Sequence, residues 1–241
     1  MVERDALEYA VELAAPQFHK DTYGNEWSSK GMYPVHPELP QELEVTTLTG
    51  LCDLVTNDIE EFDKEMVLVH VASHILVNLV TKKSDSWGRR MRYVAAQVPQ
   101  TRGFSFGQFM DHETFLIGLL ANFTDTPDRA YLSGIASHVE AGRVRGSLDD
   151  GVSQEITVKQ GTSLKTSAAI KNRLTLAPYR TFREIEQPAS EFLFRVRGGN
   201  ETTAPTLALF EADGGKWQID AMEAIGRYLR TQLDKDIPVV I

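Results

Sequence analysis

Residues 207–233, LALFEADGGKWQIDAMEAIGRYLRTQL, hold a strand, a turn and a helix in one run. Leu207, Leu209 and Phe210 supply the apolar positions of a strand. Asp213-Gly214-Gly215 supplies a tight turn, because glycine accepts the positive φ that such turns require. From Ile219 to Leu233 the period lengthens, and Met222, Ile225, Leu229 and Leu233 fall on one stripe of an amphipathic helix. Period two recurs upstream. Ile156 and Val158 alternate with polar residues, then Leu174 and Leu176 do, then Phe192, Phe194 and Val196. The expectation for residues 149–241 is an antiparallel sheet closed by that amphipathic helix.

Working outward, Val2 to Ala15 places Leu7, Ala10, Val11 and Ala14 at helical spacing ahead of Pro16. Gln17 to Gln41 has no period; its glycines, prolines and aromatics read as an extended arm packing through Tyr23, Trp27 and Tyr33, or as a partner-docking segment. Thr46 or Thr47 caps a short helix carrying Leu48, Leu51, Leu54 and Val55. Met66 to Thr81 reads as a strand, Lys82 to Ser86 as a polar turn and Trp87 to Val98 as the return strand, together a long β-hairpin. Ser105 with Gln108 has the form of a capping box opening a helix with Phe109, Phe115, Leu116, Leu119 and Leu120. Thr126-Pro127-Asp128 opens another, carrying Tyr131, Leu132, Ile135 and Val139. Runs of strands beside runs of helices predict an α+β fold. Residues 1–41 form a helix and arm, 42–148 the hairpin and two central helices, and 149–241 the sheet and last helix, the latter two as one compact domain.

The chain of 241 residues is long enough to bury a core, and its 42% hydrophobic and 24% charged residues are ordinary globular usage. Its 25 Lys+Arg against 34 Asp+Glu leave a net charge of -9, which disfavours non-specific duplex binding. Cys52 is the single cysteine, so an intramolecular disulfide and a thiolate zinc site are excluded and a reducing compartment is expected. The residues after Met1 lack a signal-peptide pattern, and the run Met66–Val80 is too short and too polar to span a bilayer. A cytoplasmic protein with no membrane association is expected.

Pro178 to Glu184, PYRTFRE, followed by Arg195 and Arg197, is the densest basic–aromatic mixture. Arginines beside aromatics stack on bases or grip phosphates, so Tyr179, Arg180, Arg183, Arg195 and Arg197 form the candidate binding face. A solvated sheet face with Glu184, Glu186 and Glu191 as cross-strand partners is the other reading. Arg89, Arg90 and Arg92 form a weaker patch of the same kind. Asp149, Asp150, Glu211 and Asp213 occupy two acidic turns that would hold a hard cation if they converged; Asp-Gly is also ordinary turn chemistry. His70 and His74, four apart in a strand, would lie about 13 Å from each other, too far to share an ion. Asp111-His112-Glu113 suits the first turn of a helix, where acids meet the dipole. Phosphate-binding loops, dinucleotide fingerprints, nucleophile elbows and paired C-x-x-C motifs are missing. No cofactor or metal is expected.

The run Asp149-Asp150-Gly151-Val152-Ser153-Gln154 resembles a large family of phage- and prophage-encoded proteins of unknown function. So do Leu176 to Phe182 with Glu184 and Gln187-Pro188, and Leu209 to Trp217. A more distant likeness runs to an enterobacterial cryptic-prophage protein with a Pro-Tyr turn followed by an aromatic-and-arginine strand. The resemblance implies a phage context near replication and recombination functions in a bacterial host, and no particular reaction. The expected function is a non-enzymatic accessory protein that binds single-stranded nucleic acid or a protein in replication, recombination or host takeover. Two alternatives stay open: a self-assembling ring or shell subunit, with homo-oligomers clasped by arm and hairpin, and a metal-dependent enzyme on nucleotides or nucleic acid built on the acidic turns.

Overall fold

The computed structural model describes residues 4–14, 17–28, 34–35, 41–57, 63–85, 88–100, 103–141, 154–159, 165–198 and 204–241. Helix α1 (Arg4–Ala14) leads into a three-stranded antiparallel sheet of β1 (Phe18–Lys20), β2 (Glu26–Ser28) and β3 (Pro34–Val35). The segment expected as an extended arm is thus partly sheet. Asp21 builds its first turn, accepting the backbone N–H groups of Tyr23 and Asn25 at 2.9 Å and the Trp27 indole N–H at 3.1 Å. These bonds, the Asn25 side-chain amide foremost, hold its pKa down to about 2. Tyr23 is 86% exposed, so it does not pack as an arm aromatic would.

Strand β4 (Leu43–Val45) and helix α2 (Leu48–Thr56) come next, with Thr47 as N-cap accepting the Gly50 N–H at 3.0 Å. The stretch expected as one strand from Met66 to Thr81 is two, β5 (Val67–Ser73) and β6 (Leu76–Thr81), followed by β7 (Arg92–Gln97). The reversal between them has neither Gly nor Pro; the Ser73 hydroxyl accepts the Ile75 N–H at 3.3 Å instead. A three-stranded meander therefore replaces the two-stranded hairpin.

Helix α3 (His112–Asn122) starts at Asp111, whose carboxylate accepts the Thr114 N–H at 2.9 Å, and not at Ser105. Phe109 lies before this helix, and Met110 exchanges backbone bonds of 2.9 and 2.8 Å with Leu207. Helix α4 (Pro127–Ala141) begins as expected, the Thr126 hydroxyl accepting the Arg129 N–H at 3.2 Å. Then come the hairpin β8 (Gln154–Lys159) and β9 (Lys165–Ile170), strands β10 (Arg173–Leu176), β11 (Ser190–Arg197) and β12 (Thr206–Glu211), helix α5 (Lys216–Gln232) and β13 (Val239–Val240). The α+β class expected from the sequence is what the structure has.

Two cores organise these elements. In the five-stranded sheet, order β13-β5-β6-β7-β4, the outer strands pair parallel and the meander antiparallel. Val67, Val69 and Val71 of β5, with Val77, Leu79, Val94 and Ala96, meet Leu48, Leu51 and Val55 of α2 and Ile225 and Leu229 of α5. The stripe of α5 therefore covers this sheet and not the one it follows in sequence. The antiparallel sheet β10-β11-β12 is closed instead by α3 and α4, whose Phe115, Leu119 and Leu132 pack on Phe192, Phe194, Val196, Leu207 and Leu209. Strand alternation identifies an apolar face but not the helix that will cover it. The turn at Gly214 and Gly215, with φ of 65° and 83°, carries the chain from one core to the other.

The loop 177–189 between β10 and β11 joins the two halves. Its start pairs with the end of α3 through Thr124 N–H to Ala177 O (2.9 Å) and Tyr179 N–H to Asn122 O (2.8 Å). Phe182 and Ile185 then enter the core of the five-stranded sheet. Burying such side chains contributes about 1.5–3 kcal/mol each, and this anchors the loop to a sheet distant in sequence.

Candidate functional site

Gln187 holds the loop in shape. It is 6% exposed, and its side-chain oxygen accepts the N–H groups of Arg180 (3.0 Å) and Thr181 (3.3 Å). Its amide donates to the carbonyls of Phe182 (2.9 Å) and Ile185 (3.3 Å). A primary amide has two donors and two lone pairs, so this one side chain is fully used. Thr181 ties the loop to the meander by donating its hydroxyl to His74 O at 2.5 Å.

Arg180 projects inward. Its guanidinium lies 3.8 Å over the Trp217 ring and 5.7 Å from Phe192, and it donates to Glu211 and to the Ser190 hydroxyl. Burial pushes its pKa down to about 10 against the pull of Glu211 and Asp213. His74 sets its ring edge-on against Trp217, with centroids 4.7 Å apart. Its own burial, and then the Arg180 charge, lower the His74 pKa and favour the neutral ring. Next to this cluster, Arg183 is exposed and stacks 3.8 Å over Tyr179.

His74, Tyr179, Arg180, Arg183 and Trp217 wall a cleft of about 740 Å³, completed by Ile75, Val98 and Pro99 from the meander and its exit and by the start of α2. At that helix start Glu184 accepts the Thr49 N–H at 3.2 Å, and the Thr49 hydroxyl lies 3.3 Å from the Tyr228 hydroxyl. The volume is that of an ordinary small-ligand site, with apolar walls and a few placed polar groups.

Of the residues singled out from the sequence, Tyr179, Arg180 and Arg183 meet at the cleft. Arg195 and Arg197 lie elsewhere. In β11, Phe192, Phe194 and Val196 face α3 and α4, so Arg195 and Arg197 point to the opposite side. Five residues of strand separate Ser190, which Arg180 contacts, from Arg195, roughly 16 Å along the sheet. Arg197 stacks there on Phe109 at 4.0 Å, and Phe109 meets Phe210 at 6.0 Å. Glu211 binds Arg180, and Asp213 accepts the N–H groups of Gly215 (3.0 Å) and Trp217 (3.4 Å) at the start of α5. Asp149 and Asp150 lie outside the described residues. Among the described residues no group of three His, Cys, Asp or Glu side chains could hold a metal ion, and no helix is long and apolar enough to cross a membrane.

The sequence did not single out His74, Trp217, Thr49 or Gln187 for this cleft. His74, Thr49 and Trp217 come from elements far apart in the chain, and nothing local tells that they meet at one cleft. Comparison of the chain with protein-family models, curated proteins and solved structures finds no match.

Proposed function

We propose that the chain acts by binding, without catalysing a reaction, and that its ligand is single-stranded nucleic acid whose unpaired base enters the cleft. The setting is the one the resemblance implies: a phage accessory role in replication, recombination or host takeover inside a bacterial cytoplasm. The observation that carries the reading is the Arg183–Tyr179 stack at a cleft of about 740 Å³ also walled by Trp217 and His74. Guanidinium planes and aromatic rings stack on bases at about 1–3 kcal/mol per base. Arg180 already covers one Trp217 face and Arg183 one Tyr179 face. The outer plane of Arg183 is therefore the platform offered to a base.

Phosphate neutralisation contributes little in a chain of net charge -9. Each phosphate contact on a single strand gives a salt slope of about −0.7, so one arginine gives about −1 or shallower. Titrating labelled oligonucleotides across a salt series tests the reading. Binding that weakens about tenfold in Arg183→Ala and Tyr179→Ala supports it, on the stacking magnitude above. Absent binding at low salt, or dependence on Arg195→Ala, Arg197→Ala instead, overturns it.

A second reading has its own observation. Leu7 (55%), Tyr9 (64%) and Phe18 (63%) expose apolar surface on α1 and β1, which favours self-assembly through the N-terminal region. Light scattering that finds only monomer at high micromolar concentration removes it.

A further inference from the structure

The hydrogen-bonding groups of the cleft are unevenly suited to the four bases. Glu184 has one oxygen, Oε1, fixed by the Thr49 N–H at 3.2 Å, while Oε2 has no partner among the described residues. Arg183 stacks on Tyr179 and has no carboxylate partner among the described residues. The two adjacent residues thus bring an acceptor and a stacking plane to the same cleft. Arg180 adds no net charge, because Glu211 pairs with it. His74 adds none, because its ring is held neutral.

A carboxylate needs N–H donors. Guanine alone among the bases offers neighbouring donors, N1–H and N2–H₂, on one edge. Adenine and cytosine each place a ring-nitrogen acceptor beside their single amino group, where it would face the carboxylate. Thymine and uracil flank their one N–H with two carbonyl oxygens. We infer that the cleft selects guanine, whose ring stacks on the outer plane of Arg183 while its N1–H/N2–H₂ edge meets the free oxygen of Glu184. This rests on the single-strand reading above.

The test uses short oligothymidylates carrying one central guanine, one central inosine or no substitution, with free GMP as a further probe. The full-length chain is expected to bind the guanine strand about tenfold more tightly than the all-thymine strand, from the usual size of paired base contacts. Inosine, which lacks only the N2 amine, should fall between them. Glu184→Gln keeps an oxygen for the Thr49 N–H, so the fold is retained, and it should bring the guanine and thymine strands to similar affinity. Equal wild-type affinity for guanine and thymine strands overturns the guanine inference and leaves strand binding standing. Unchanged guanine preference in Glu184→Gln overturns the role of that residue. GMP bound with no strand bound upholds guanine recognition and overturns the strand as its carrier; binding of no probe at all overturns both.

Discussion

Replacing Gln187 by alanine removes four hydrogen bonds from a side chain that is 6% exposed. The N–H groups of Arg180 and Thr181 lose their acceptor, and the Phe182 and Ile185 carbonyls lose a donor. An orphaned buried polar group costs about 1–3 kcal/mol, and carbonyls tolerate the loss better than N–H groups. The Arg180 N–H is only partly buried and counts at the low end, so the two N–H groups set the cost at about 2–4 kcal/mol, with the carbonyls adding less. At about 2–4 °C per kcal/mol for a chain of this length, the melting temperature should fall by roughly 5–15 °C. Urea titration should show a lower midpoint with an unchanged slope, because the same surface is exposed on unfolding. Affinity for an oligonucleotide should fall as well, since the loop carries Tyr179, Arg183 and Glu184. Gln187→Glu keeps the acceptor but sets a carboxylate against two carbonyls, so it should destabilise comparably. A Gln187→Ala variant within about 0.5 kcal/mol of wild type, the range of ordinary surface changes, would refute this account of the loop.

Other perturbations follow from the same contacts. Arg180→Ala should cost about 2–3 kcal/mol, near the low end for breaking a buried pair because Glu211 stays partly hydrated; a double-mutant cycle with Glu211→Gln should return a favourable coupling, and additivity would contradict the pairing. Phe182→Ala should cost about 3–5 kcal/mol by equilibrium unfolding, because the ring fills the core of the five-stranded sheet. His74 has a lowered pKa in the fold, so the unfolded chain binds its proton more readily and stability should fall as pH drops below about 6.5. His74→Gln should flatten that part of the stability–pH curve, and an unchanged slope would count against the burial of the ring. Thr47→Ala removes the cap of α2 and should cost about 1 kcal/mol by the same unfolding assay.

The sequence reveals elements wherever one local period dominates. The α5 stripe, the alternation at Phe192-Phe194-Val196 and the Thr126-Pro127 start of α4 are all local signals, and all three stand in the structure. Where pairing across the chain decides, local reading fails. Ser105 and Gln108 look like a capping box, but bonds from Gly107 to Leu209 and between Met110 and Leu207 keep that stretch out of a helix until Asp111 caps α3. The apolar run from Val67 to Thr81 hides a turn because Ser73, and not glycine, makes it. Asp21 turns the supposed arm into sheet through bonds that a count of Gly and Pro does not register.

The same division applies to the cleft. Tyr179, Arg180 and Arg183 stand out because basic and aromatic residues crowd one short segment. That Arg180 turns inward depends on Glu211, 31 residues away, and on the Trp217 face. That Arg195 and Arg197 take the opposite surface follows from strand parity, once β11 is known to pack Phe192 and Phe194 inward.

The central claim is that nucleic acid occupies the cleft beside Trp217, and that tryptophan reports on it. The chain has three tryptophans, so a Trp27→Phe, Trp87→Phe variant leaves Trp217 as the sole indole. Titrating it with a guanine-containing single strand should change its emission saturably, and the change should weaken together with binding in Arg183→Ala. Strand binding detected by an independent label with no change in Trp217 emission would contradict the account.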